Sequence, residues 1–147
     1  MVKQKKILLV NPSCLDARAS GEDAGIVPLG LYYIGAVLIE NGYHTKIVNL
    51  ADNKKDPIAR FQKIIKDEHP DIIGFSANNP NRWNAIDCAG AARKIMPHVT
   101  IVFGGPAPTF LSEHLFIVCP DIDFIVMGEG EITFLELVNT LQIKKSS

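Results

Sequence analysis

The chain has 147 residues, of which 47% are hydrophobic and 21% charged, with a formal net charge of −1. That length suits one domain with a full core, the composition excludes a disordered chain, and the near-neutral balance gives no electrostatic basis for nucleic acid or an anionic membrane as partner. Cys14, Cys88 and Cys119 are too scattered for a disulfide framework or a zinc site, no apolar run could span a bilayer, and the start has no signal-peptide pattern, so a reducing cytoplasm is expected.

The first apolar run, Ile7-Leu8-Leu9-Val10, reads as a strand covered on both faces. A polar stretch from Pro12 to Pro28 follows, after which Leu31, Ile34 and Leu38 share a helical face and Gly42 supplies the stop. Thr45-Lys46-Ile47-Val48 alternates and carries a lysine, which places the second strand at or near an edge. Asp56 then caps a helix with Pro57 at its first position, Ile58, Phe61 and Ile65 as its stripe, and His69-Pro70 as its end. The third strand is Asp71-Ile72-Ile73-Gly74-Phe75, and a helix from about Arg82 to Met96 uses Ala85, Ala89 and Ala92 to approach the sheet closely. Thr100-Ile101-Val102-Phe103 is a fourth strand, followed by a short helix around Ser112 to Val118. Phe124-Ile125-Val126-Met127 is a fifth, again read as covered on both faces. The last helix begins near Glu131 and buries Phe134, Leu137, Val138 and Leu141. Lys144 to Ser147 read as a frayed end or a linker stub, leaving residues 1–143 as the domain.

Strict alternation of strand and helix predicts an α/β fold of the flavodoxin-like, doubly wound kind: five parallel strands in the order 2-1-3-4-5. Ligands of such sheets bind at the C-terminal ends of the strands, where the order reverses. The loops at that edge are therefore the candidate site. The one after the first strand runs from Pro12 through Ser13, Cys14, Asp16, Arg18, Gly21, Glu22, Asp23 and Gly25 to Pro28, far beyond the usual ~2–6 residues. The loop after the third is Ser76-Ala77-Asn78-Asn79-Pro80, and after the fourth Gly104-Gly105-Pro106-Ala107-Pro108-Thr109. The last is Gly128-Glu129-Gly130-Glu131. Small residues clustered at one edge suggest a shallow, mostly uncharged groove for a large ligand.

Rival ligands fit these loops poorly. No G-x-G-x-x-G follows the first strand and no P-loop occurs. A flavin phosphate would want a Ser/Thr-rich first loop, and a receiver domain would want acidic residues where Asn11 and Ser76 stand. His44, His69, His98 and His114 lie in separate elements without a second ligand at helical or turn spacing, so no metal site is expected. Trp83 opens the third helix at the ligand edge, either walling the pocket or capping the core.

The ordered set Pro28-Leu29-Gly30-Leu31-Tyr32-Tyr33-Ile34, Asn41-Gly42-Tyr43, Pro70 to Ser76, Phe103 to Thr109 and Asp121 to Phe134 resembles the N-terminal cobalamin-binding domain of cobalamin-dependent radical SAM enzymes, such as anaerobic magnesium-protoporphyrin ester cyclases and radical SAM methyltransferases. The resemblance implies a corrin over the C-terminal edge with its nucleotide tail inserted among the loops. By position, Ser76 and Asn78 would meet the tail, Gly104, Gly105 and Pro106 would make room for it, and Gly128, Glu129 and Gly130 would close the pocket. Pro12, Ser13 and Cys14 would face the lower side of cobalt. A bulky residue at Gly105 is then expected to block the tail with little loss of fold. No metal-ligating or catalytic residue is implied within this chain.

Two departures from relatives stand out. The Asp-x-His-x-x-Gly that brings a histidine to cobalt in cobalamin mutases and methionine synthases is absent, because the loop starts Asn11-Pro12-Ser13-Cys14-Leu15-Asp16. No Cys-x-x-x-Cys-x-x-Cys occurs either, so the chain is read either as a fragment or as a standalone binding module, and SAM and a 4Fe-4S cluster would belong to a radical SAM domain, expected in the same polypeptide outside this chain and working on a small-molecule substrate. A first helix that is apolar nearly all round, with Leu31, Tyr32, Tyr33, Ile34, Val37, Leu38 and Ile39, fits an element covered on both sides. The expected function is cobalamin binding in the service of that domain. The alternative is a degenerate domain of the same fold, with a packing or substrate-positioning role and no cofactor.

Overall fold

The computed structural model describes residues 3–14, 28–51 and 55–146. Asp16, Arg18, Gly21, Glu22, Asp23 and Gly25 of the first loop lie outside the described residues. The elements alternate throughout: β1 (Lys6–Asn11), α1 (Leu29–Glu40), β2 (His44–Asn49), α2 (Pro57–Glu68), β3 (Ile72–Ser76), α3 (Arg82–Ile95), β4 (Thr100–Gly104), α4 (Pro106–Val118), β5 (Phe124–Val126) and α5 (Glu131–Ser146). The five strands form one parallel sheet in the order β2-β1-β3-β4-β5, as the alternation predicts. β2, with Lys46, is an edge. Among the described residues, no helix is long and apolar enough to cross a membrane.

Both faces of the sheet are covered. On one, α2, α3 and α4 lie over Leu8, Val10, Ile73, Phe75, Ile101 and Phe103, and the rings of Phe61, Phe75 and Phe103 follow one another at centroid spacings of 5.7 and 5.3 Å. On the other, α1 and α5 lie over Ile7, Leu9, Ile72, Val102 and Val126. The helix ends obey local chemistry. Asp56 accepts the Ala59 N–H at 3.1 Å with Pro57 next to it. α1 ends in a Schellman turn, with Tyr43 N–H donating to Leu38 O, Gly42 N–H to Ile39 O, and Gly42 at φ 86°.

Three details differ from the sequence reading. β5 is not covered on both faces: it is three residues long and forms the far edge, so Phe124 is 39% and Met127 56% exposed. α4 starts at Pro106, six residues before Ser112, with a break at Leu111 separating an initial turn from the expected helix. Prolines at 106 and 108 fall where a helix's N–H groups have no intrahelical acceptor, so they start the element rather than prevent it. α5 continues to Ser146, past the end assigned at 143.

The N-terminal edge is clamped by Arg93. Its guanidinium donates to the carbonyls of Pro97, Val99 and Asp121 and to the Asp123 carboxylate at 2.7–3.0 Å, while Asp123 also accepts the Ile101 N–H at 2.8 Å. One side chain thus joins the end of α3 to the starts of β4 and β5. Replacing it with methionine keeps the stem and strands those carbonyls, so Arg93→Met is expected to cost about 2 kcal/mol in a urea titration. An unchanged midpoint would show that the edge holds without it.

Candidate functional site

At the C-terminal ends of the strands, β2, β3 and β4 lead to helices on one face of the sheet, and β1 and β5 lead to helices on the other. Two helices on the second face leave a gap between their N-terminal turns. That gap is a cleft of about 180 Å³. Its floor is Leu9, Gly74, Val102 and Phe134, its α1 wall is Gly30, Leu31 and Ile34, and its rim is Ser76, Gly104, Gly105 and Gly128 to Glu131.

Missing side chains create this space. A Cβ on Gly74 would lie 3.0 Å from Leu9 and 3.3 Å from the Phe134 ring, so only glycine admits that ring onto the sheet. Around the opening, a Cβ on Gly30 or Gly128 would meet nothing within 4 Å, and one on Gly104 would touch Val126 no closer than 3.7 Å. Ser76 ends β3 with a hydroxyl that, among the described residues, has no hydrogen-bond partner. Thr109 ties two rims together: its hydroxyl donates to Gly105 O at 2.9 Å and accepts the Gly128 N–H at 3.0 Å.

The residues singled out from sequence separate into two groups. Ser76, Gly104, Gly105, Gly128, Glu129 and Gly130 come together around the cleft. Pro12, Ser13, Cys14, Asn78 and Pro106 do not line it. Ser13 N–H donates to Asn84 Oδ1 at 2.8 Å and the Cys14 thiol to Pro80 O at 3.7 Å, which holds this segment to the α3 side. Asn78 and Asn81 close the turn before α3, each backbone N–H donating to the other's Oδ1 at 2.8 and 2.9 Å. Pro106 is the first residue of α4. Trp83 is half exposed and stacks under the Arg82 guanidinium at 4.8 Å, rather than walling the cleft.

Gly105 plays a different part from the one expected. Its φ is 106°, and a Cβ there would come within 2.7 Å of Ala77 O and 3.2 Å of Ala77 N. The obstacle is backbone, which cannot step aside, so a side chain at 105 damages the fold as well as the cleft. Sequence reasoning also missed Gly30, Gly74, Thr109 and Phe134. A glycine inside an otherwise apolar strand, as at 74, is the signal that could have found the floor.

A family model described as the B12 binding domain matches residues 23–138. The chain belongs to the B12-binding domain family. It is 38% identical over 141 residues to an uncharacterized methyltransferase of Pyrococcus horikoshii, covering 95% of this chain and 30% of that protein. It is 29% identical over 143 residues to the anaerobic magnesium-protoporphyrin IX monomethyl ester cyclase of a Synechocystis strain, covering 93% of this chain and 28% of the relative. The chain thus spans less than a third of these relatives. Its fold matches that of OxsB, a cobalamin-dependent S-adenosylmethionine radical enzyme solved with aqua-cobalamin and S-adenosylmethionine, at a TM-score of 0.79 and 22% identity over 96% of this chain and 19% of OxsB.

Neighbouring glycines of this B12-binding domain should behave differently. Gly104→Leu projects into the cleft and is expected to leave the thermal midpoint nearly unchanged. Gly105→Ala, with strained backbone and a backbone clash, should lose about 2–3 kcal/mol. Equal losses in a denaturant titration would contradict the assignment of Gly104 to space and Gly105 to backbone approach.

Proposed function

We propose that this B12-binding domain holds cobalamin by its nucleotide tail, with the flat base in the cleft and the corrin over the C-terminal edge. In this reading it presents the cofactor to a radical SAM domain of the same polypeptide, a methyltransferase or cyclase acting on a small molecule. The observation that carries it is the cleft. A dry cavity of ~150 Å³ with apolar walls accepts benzene. A slot of about 180 Å³, floored by a phenylalanine and opened by glycines, fits a flat aromatic base and is too small for a corrin.

Each residue then has a stated task. The Ser76 hydroxyl is free to bond the tail's base or sugar, and Gly104 leaves the room a side chain would take. The Thr109 bridge keeps the β4 and β5 loops at a fixed separation, which holds the slot open without ligand. Glu129 and Glu131 at the rim can accept N–H groups from the corrin's peripheral amides. Cobalamin, when bound, supplies a cobalt centre able to carry methyl groups or change redox state. SAM and a 4Fe-4S cluster belong to the partner domain in this proposal, and the exposed apolar side chains of α1 (Leu29, Tyr33, Ile39) and α4 (Phe110, Ile117) offer it a surface.

Incubation with hydroxocobalamin followed by desalting should leave a coloured protein fraction, and Gly104→Leu should leave a colourless one that is still folded. A colourless, well-folded wild type would overturn the reading in favour of a packing or positioning role. Bound cob(II)alamin should show no nitrogen splitting in its EPR spectrum. All four histidines are exposed: His44, His69 and His98 lie at the opposite edge, at or before the starts of β2, β3 and β4, and His114 lies on α4. Residues 15–27 contain no histidine. A clear nitrogen triplet would contradict this account of the lower face.

A further inference from the structure

Asn84, in the first turn of α3, is 0% exposed. Its Oδ1 accepts the Ser13 N–H at 2.8 Å and lies 3.8 Å from the Cys88 thiol. These donors fix which way the amide faces, because a flipped group would set Nδ2 against the Ser13 N–H. Among the described residues, Nδ2 is therefore enclosed without a hydrogen-bond partner. An unsatisfied buried donor is a cost that an apolar residue at this position would avoid. What asparagine offers and leucine does not is the oxygen, and that oxygen holds the start of the loop after β1. The Cys14 thiol makes a second, weaker stitch to Pro80 O at 3.7 Å.

We propose that Asn84 is the positioning residue for the start of this loop: through Oδ1 it holds Pro12 to Cys14 against the α3 side of the strand ends, and so sets where these three residues lie relative to a bound corrin. The tether is a property of the protein alone. Its effect on the cofactor rests on the cobalamin reading, and the two are tested separately.

Asn84→Asp keeps an oxygen acceptor in a near-isosteric side chain at the cost of a carboxyl group in a fully buried position, whereas Asn84→Leu removes the acceptor at similar size. In ligand-free protein, the rate of Cys14 alkylation by iodoacetamide, read by mass spectrometry, reports the loop. Cys88 and Cys119 report the fold, because both are buried and burial pushes their thiols up, that of Cys88 to about 12. Asn84→Leu should speed Cys14 labelling about tenfold, the worth of roughly one hydrogen bond, while Asn84→Asp stays within about twofold of wild type. Cys88 and Cys119 should remain unlabelled in each. Equal Cys14 rates in wild type and Asn84→Leu would overturn the tether. Should Asn84→Leu expose Cys88, Ser13→Pro removes the donor without touching α3: faster Cys14 labelling supports the tether and an unchanged rate overturns it.

With hydroxocobalamin loaded and reduced, Asn84→Leu should retain cofactor through the intact cleft yet change the cobalt EPR spectrum, and Asn84→Asp should restore the wild-type spectrum. Identical spectra in all three would overturn the effect on the cofactor. A wild type that retains no cobalamin would overturn the cobalamin reading and with it that effect, while the Cys14 rates still decide the tether.

Discussion

The exit of β4 runs in backbone contact with the exit of β3. Ala77 N–H donates to Gly104 O at 2.8 Å, Ala107 N–H returns to Ala77 O at 3.1 Å, and Gly105 has no room for a Cβ between them. This packing sends the chain from both central strands toward the α2–α4 face. The ends of β3 and β4 are consequently left open on the α1–α5 face, where only helices from β1 and β5 arrive. The cleft follows from that asymmetry, since two helices cannot close over strand ends whose own connections have gone the other way.

Space at the edge is divided by chemistry. On the α1–α5 side the floor of the cleft is small or apolar, and Phe134 is seated there because Gly74 leaves it room. On the α3 side the strand ends are stitched by amides, Asn78 to Asn81 and Asn84 to Ser13. The first side supplies volume and the second supplies rigidity. A pocket preorganised in this way spends little on ordering when a ligand arrives.

Most of the fold was legible because its signals are local. Asp56-Pro57 marks a helix start, Asn41-Gly42-Tyr43 a Schellman end, and Lys46 an edge strand, and each can be read without knowing what the chain packs against. The start of α4 was hidden because Pro106 and Pro108 look like loop residues until Gly105, outside the helix, fixes the entry angle. The site was legible in its glycines but not in their duties. Gly104 and Gly105 are indistinguishable in sequence, and what separates them is Ala77, twenty-eight positions before Gly105. Asn78 invited a ligand role, and in the structure it closes a turn with Asn81 just before α3, away from the cleft.

The amide pairs on the α3 side bear on what can occupy this edge. A charged tie draws water and counterions, and the Arg82 guanidinium, which donates to Asn79 O and Oδ1 and covers Trp83, is such a charge on the exposed side of the α3 start. Paired amides satisfy the backbone and leave little field. The acidic groups that line the cleft, Glu129 and Glu131, stand at its rim beside the start of α5, where the helix N-terminus favours them. Among the described residues, the cleft joins an apolar floor to two carboxylates at its rim, which suits it poorly to a bare phosphate. On the cobalamin proposal, the slot takes the flat ring of the tail and the rim carboxylates meet amide N–H donors of the corrin.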